Sequence, residues 1–298
     1  MEDRHQHHGL TPRDLIVAVA INLTWGLNII ATKLAVDAFA PFTVAALRQL
    51  LVCAACLPFL RIVPGRMRSL LWAAFLGGAG YLIIVNLALL VSDNVAALAI
   101  AGQLGVPFAL VLAVLFHRER IALPRTIGIA CAFGGVLLLV FDPRIGDEIP
   151  GLLLMTLGAL IWAIGSMLQR GLADIPVKTM FAWFGIVGGI VLAPLALLLE
   201  PRTVAALPQA PLRDYLPILF SAFGSTLLGQ GGMAWLLQRH SVATVTPMLL
   251  AVPVISVAAA WLIFGSPLTP MMLLGGVIAM IGVAIITLRS ARRPRSPA

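Results

Sequence analysis

NLTWGLNIIATKLAVDAFAPFTVAALRQLL (Asn22–Leu51) is apolar almost throughout, yet it carries an ammonium at Lys33 and a guanidinium at Arg48. Whether such charges can stand inside apolar segments depends on the solvent around the chain. The rest of the sequence answers that. Of its 298 residues 60% are hydrophobic and only 11% charged, with a mean hydropathy of +1.03. A soluble domain carries about a quarter charged residues, so this chain has too little polar surface to face water all round. Several runs reach the roughly 20 apolar residues that span a bilayer as a helix. The chain reads as a polytopic membrane protein.

The formal net charge of +8 does not point to nucleic acid. The basic residues sit in short inter-helix loops and in the tail "RSARRPRSPA" (289–298), where they set membrane orientation. That tail also suits anionic lipid. Cys53, Cys56 and Cys131 fall inside apolar runs with no metal-site or disulfide spacing, and read as small buried residues. The start, "MEDRHQHHGLTPRD", lacks the pattern of a signal peptide and reads as a polar tail. Nothing calls for a metal or a cofactor, and without a GxxxxGK(S/T) loop ATP is not the direct drive.

The apolar runs predict ten spans, at about 14–36, 41–62, 68–91, 95–117, 123–141, 150–170, 177–199, 214–238, 242–264 and 268–288. With the N-terminus placed inside, fifteen of the twenty lysines and arginines fall on cytoplasmic ends and loops. Arg144, Arg202 and Arg213 fall outside, and Lys33 and Arg48 lie within spans. That asymmetry is what the positive-inside rule expects of ten spans with both termini cytoplasmic. Five spans per half force the halves into opposite orientation. A shift of 147 places Gly77 on Gly224, Val95-Ala96 on Val242-Ala243 and Gly135-Val136 on Gly282-Val283, while a shift of 137 places Trp25 on Trp162. The expected architecture is all-α and integral to the membrane, with two five-helix inverted-topology repeats around a central cavity, as in secondary transporters. Its parts are a cytoplasmic tail (1–13), a first repeat (14–141), a periplasmic linker (142–149), a second repeat (150–288) and a basic cytoplasmic tail (289–298). Such a bundle encloses its own cavity, so a monomer suffices.

Candidate cavity residues follow from helical spacing. Trp25, Asn28 and Thr32 share one face of the first span, and Trp162, Ser166 and Gln169 repeat that stripe in the sixth. Either the stripes line a cavity or they hold helices together by ordinary hydrogen bonds. "FLGGAGYLIIVN" and "SAFGSTLLGQGGMAW" put glycines at corresponding places in the third and eighth spans. Gly77, Gly78, Gly224 and Ser225 would let backbone approach a substrate at thin or broken helices, with Tyr81, Asn86 and Gln230 offering hydrogen bonds; close helix packing is the alternative. Gln103 and Pro107 in the fourth span, and Pro247 and Pro253 in the ninth, mark bends or hinges.

Lys33 stands near the outer end of its span, within snorkelling reach of the interface and four residues from Asp37. Arg48 lies about 10 Å down its helix from Pro41, at 1.5 Å per residue. No span core supplies a carboxylate to pair with it, so it must face a hydrated cavity or bind backbone carbonyls. In a cavity it suits a substrate carboxylate; a structural role stays open beside that. With no carboxylate deep in a span, facilitated or exchange transport fits better than a buried proton relay.

"WGLN" with Lys33 after it, then "AP" and "ALRQLLV", resembles the start of EamA-type members of the drug/metabolite transporter superfamily. "FHRERI" resembles that family's glycine-glutamate-arginine turn and "IWAIGSMLQR" the opening of its second half. Two positions depart: Arg118 stands where glycine is usual, and "FGSPLT" puts Ser266 opposite Glu119. The resemblance implies a bacterial inner-membrane exporter of small metabolites, nearest to exporters of amino acids and cysteine-pathway metabolites, with Glu119 as a topology or hinge element. The partners implied are a small-molecule substrate and the lipid bilayer. Two tryptophans and Tyr81 leave a quaternary-ammonium drug exporter open. A membrane enzyme on lipid-linked substrates would need a cluster of titratable groups, and the histidines and acids are scattered. A non-transporting scaffold would not need matched stripes.

Overall fold

The computed structural model describes residues 11–117, 123–237, 239–240 and 242–290. The Glu119 turn and most of both tails lie outside these. The described residues are helical, with short turns and no strand. In chain order the helices are α1 (Pro12–Gly26), α2 (Asn28–Ala38), α3 (Pro41–Cys56), α4 (Met67–Phe75), α5 (Tyr81–Leu90), α6 (Val95–Gly102), α7 (Gly105–His117), α8 (Leu123–Val140) and α9 (Ile149–Arg170). They continue with α10 (Val177–Leu199), the short α11 (Pro201–Ala206), α12 (Leu212–Leu219), α13 (Gln230–Leu237), α14 (Val242–Met248), α15 (Ala251–Phe264) and α16 (Pro270–Ser290).

Eight spans among the described residues are long and apolar enough to cross a membrane: Pro12–Ala38, Pro41–Phe59, Met67–Leu90, Val95–Phe116, Leu123–Val140, Gly146–Arg170, Val177–Leu199 and Pro270–Leu288. Ala251–Phe264 is a shorter apolar helix. The two expected spans that fall short have physical reasons. Residues 212–237 are helical throughout but diluted by Ser221, Ser225, Thr226, Gln230 and four glycines. Residues 242–264 are divided between α14 and α15 by a turn at Leu249–Leu250.

Interruptions of this kind recur. A π-helical turn, Leu76–Gly80, joins α4 to α5, and a longer one, Phe220–Gly229, joins α12 to α13. The α6–α7 pair breaks at Gln103–Leu104, and α1 meets α2 at Leu27. Pro107 and Pro253 are each the third residue of the helix that resumes after a break. There the missing N–H costs nothing, because first-turn donors have no intrahelical partner.

Packing also recurs in pairs. α3 lies along α10, and α8 along α16. α1 packs on α15 and on the Phe220–Gly229 turn; α9 packs on α6, α7 and the Leu76–Gly80 turn. The two long pairings are close because side chains are missing. A Cβ at Gly185 would stand 2.5 Å from the backbone nitrogen of Cys53, and one at Gly282 as close to that of Ala132. Without water to drive apolar association in lipid, such close van der Waals contact is what holds helices together. The largest buried cluster gathers Leu89, Leu98, Leu139, Leu152 and Met272 from α5, α6, α8, α9 and α16.

Candidate substrate cavity

Where a helix breaks, backbone carbonyls lose their partners, and in a bilayer nothing but protein can replace them. α1 and α15 do this for each other. Asn22 donates to the carbonyl of Met248 at 2.7 Å, just before the Leu249–Leu250 break, and Ser256 donates to the carbonyl of Gly26 at 2.8 Å, just before Leu27. The π-helical turns are tied similarly. Trp25 Nε1 donates to the carbonyl of Ser225 at 3.1 Å, and Gln49 Nε2 donates to that of Gly78.

Arg48 meets the same turn from the other side. Its Nη2 lies 2.9 Å from Thr226 Oγ1, whose own hydroxyl donates to Ser221 O at 3.0 Å. Tyr81 is its electrostatic neighbour. The guanidinium is half-buried and forms no ion pair with a carboxylate of the described residues. Lys33 behaves differently. At 6% exposure it does not snorkel outward; its ammonium donates to Leu89 O at 2.9 Å, pairs with Asp37 at 3.0 Å and approaches Asp93 at 3.7 Å. A carbonyl at the end of α5 and two carboxylates account for it fully.

A cavity of about 440 Å³ opens between α1, the α6–α7 break, the α14–α15 break and α16. Of the residues singled out by sequence, Trp25, Gln103 and Pro253 line it. Leu249 and Leu250 at the break, and Met280, Ala284 and Thr287 on α16, also line it and were not singled out. Their signal is absent from spacing because they are ordinary apolar-span residues brought there by the packing of α16.

The other candidates lie elsewhere. Asn86 donates to Pro41 O at 2.8 Å and anchors the start of α3. Thr32 bonds Asn28 O within its own helix, while Asn28 Oδ1 is buried with no protein partner. Gly77 and Gly78 sit under Phe184 of α10, Gly77 with Gln169 close by. Gly224 is flanked by Phe220, and Ser225 is buried with its carbonyl engaged. Trp162, 41% exposed, lays its ring over Gly105. Ser166 and Gln230 are half-buried, and Pro247 lies inside α14.

The profile of the EamA-like transporter family matches residues 13–141 and again 149–288. The chain belongs to the EamA-like transporter family. It is similar to a protein of Salmonella typhimurium LT2 named "Probable amino-acid metabolite efflux pump", at 27% identity over 93% of this chain and 95% of that one. A protein of the same name from Escherichia coli K12 is 26% identical over the same shares. An "Uncharacterized transporter" of Archaeoglobus fulgidus is 27% identical over 91% of this chain and 97% of its own. A crystal structure 20% identical in sequence superposes with a TM-score of 0.62, over 95% of this chain and 99% of that one, which shows the shared fold. This EamA protein is a multi-pass membrane transporter of the drug/metabolite superfamily, and its small-molecule cargo must pass a bundle whose helices are broken near mid-span.

Proposed function

We propose that this EamA transporter exports amino acids or closely related metabolites across the bacterial inner membrane by alternating access. In this reading ten spans form two inverted five-helix halves, 14–141 and 150–288, joined by a periplasmic linker at 142–149, with both termini cytoplasmic. The paired interruptions, the paired packing of α1 on α15 and α9 on α7, and the double family match support the inverted halves. The names of the bacterial relatives support the cargo.

One observation carries the substrate class. Arg48 is held by the neutral Thr226 beside Tyr81, with no carboxylate of the described residues to neutralise it. A substrate carboxylate completes that site by charge-assisted, bidentate hydrogen bonding. A cationic-drug exporter is disfavoured, since none of the described residues lining the cavity is acidic.

The test is substrate counterflow in proteoliposomes with labelled amino acids, against Arg48→Ala and Arg48→Lys. A charge-assisted bond contributes about 1.5–3 kcal/mol, so Arg48→Ala is expected to weaken half-saturation at least about tenfold. Arg48→Lys, which keeps the charge and loses the fork, is expected between the two. An unchanged half-saturation in Arg48→Ala would make the guanidinium purely structural.

A further inference from the structure

The residues around the cavity have sequence counterparts in the first half that pack differently. The shift of 147 places Gln103 on Leu250, Val106 on Pro253, Phe108 on Ile255 and Phe133 on Met280. In the first half, Phe108 and Phe133 pack edge to face with ring centroids 5.0 Å apart, and Trp162 covers Gly105. In the second half, the positions of those two rings hold an isoleucine and a methionine. Trp25, the counterpart of Trp162, is held as a wall: its indole is bound to Ser225 O and fits only because Gly229 has no side chain to strike it. The asymmetry is therefore written in the sequence. One half carries two packed rings at these positions; the other carries an isoleucine, which packs on Gly26, and a methionine, which lines the cavity.

The open space is also unusual in its lining. Trp25, Gln103 and Thr287 are its polar members, and Val277 and Ile281, 54% and 50% exposed, form its outer lip on α16. Its position on both helix breaks places it where the substrate of a discontinuous-helix transporter binds. The volume is within the 300–1,000 Å³ of ordinary small-molecule sites. A packing defect would have no reason to fall on both breaks or to be lined on one side by a tryptophan tied back by its indole.

We infer that this cavity receives the side chain of the transported metabolite and that the side chain is apolar, with Met280, Ala284 and Thr287 setting its permitted size. The inference rests on the amino-acid export reading above and adds the class of amino acid. Trp25, which lines the cavity, and Arg48, which does not, engage neighbouring residues, Ser225 and Thr226, of one π-helical turn.

The experiment compares proteoliposome uptake of labelled tryptophan, leucine, alanine and serine by the wild type, Met280→Phe, Ala284→Phe and Met280→Ala. Met280→Phe places at 280 the ring that Phe133 carries at the corresponding position of the first half. The wild type is expected to prefer tryptophan and leucine. The two filling variants are expected to lower tryptophan and leucine uptake about tenfold relative to alanine and serine, the scale at which pockets discriminate by size. Met280→Ala should raise the tryptophan-to-leucine ratio, which covers the case in which a filled variant fails to insert. A wild type preferring serine, or variants that leave the ranking unchanged, would overturn the inference and give the cavity to a lipid chain. Absence of uptake of every amino acid by the wild type would instead overturn the export reading on which it stands.

Discussion

Asn22 and Ser256 show how single side chains make a broken helix tolerable. Each satisfies a carbonyl freed by the other helix's interruption, across 226 and 230 residues of chain. Because an unmade hydrogen bond in a bilayer core has no water to fall back on, Asn22→Ala and Ser256→Ala are each expected to cost about 1–3 kcal/mol. They act on one α1–α15 contact, so the double variant should lose less than the sum of the singles. Thermal unfolding in detergent of all four proteins checks this; strict additivity would mean the two breaks are stabilised independently. None of this was legible in the sequence. Neither Asn22 nor Ser256 was singled out, because a cap supplied by a distant helix leaves no local spacing. Arg48 was legible, since a charge about 10 Å into an apolar helix needs an explanation wherever it occurs. The burial of Lys33 was not: snorkelling and the Asp37 pair follow from local spacing, but the Leu89 carbonyl that draws it inward comes from another helix.

At the scale of elements, the breaks were announced by composition and their form was not. Gln103 and Pro107 in the fourth span and Pro247 and Pro253 in the ninth marked bends, and the structure has full interruptions at Gln103–Leu104 and Leu249–Leu250. The glycine runs of the third and eighth spans became π-helical turns, whose wider i→i+5 turn misaligns carbonyls that Gln49, Trp25 and Arg48's partner Thr226 then engage. Helix starts are secured just as specifically. Glu200, at the end of α10, accepts from the backbone nitrogens of Phe42 at 2.9 Å and Thr43 at 2.7 Å and from the Thr43 hydroxyl. A carboxylate there also meets the positive end of the α3 dipole. Glu200→Ala is expected to destabilise the protein by about 1–3 kcal/mol, and Glu200→Gln by less, because the amide keeps one acceptor. Equal melting temperatures for the two variants would show that charge, not hydrogen bonding, secures α3. The glycine seam of α8 and α16 predicts a larger effect: Gly135→Val drives a side chain into the Gly275 carbonyl and the Ala279 backbone. It should abolish a monodisperse protein in detergent, where Gly134→Val, facing open space, should not.

Across the whole molecule, the distribution of carboxylates decides what can drive transport. Asp14, Asp37, Asp93, Asp142, Asp174, Glu200 and Asp214 all stand at helix ends or in connections, and the better buried of them are already engaged by neighbours such as Thr11, Thr269 and the α3 backbone. Arg48, deep in a span, cannot release its proton in a protein. A proton-coupled cycle needs a group that titrates within the transport path, with the protonated and deprotonated forms favouring different conformations. Among the described residues, no such group stands in the cavity wall. Amino-acid counterflow in proteoliposomes is therefore expected to proceed at the same rate whether or not a pH difference is imposed across the membrane, and to be unaffected by a protonophore. Net uptake should follow the substrate gradient alone, or the gradient of an exchanged substrate. Accumulation above the external concentration, driven by an imposed pH difference and abolished by the protonophore, would require a titrating group on the path and would direct attention to Tyr81 beside Arg48.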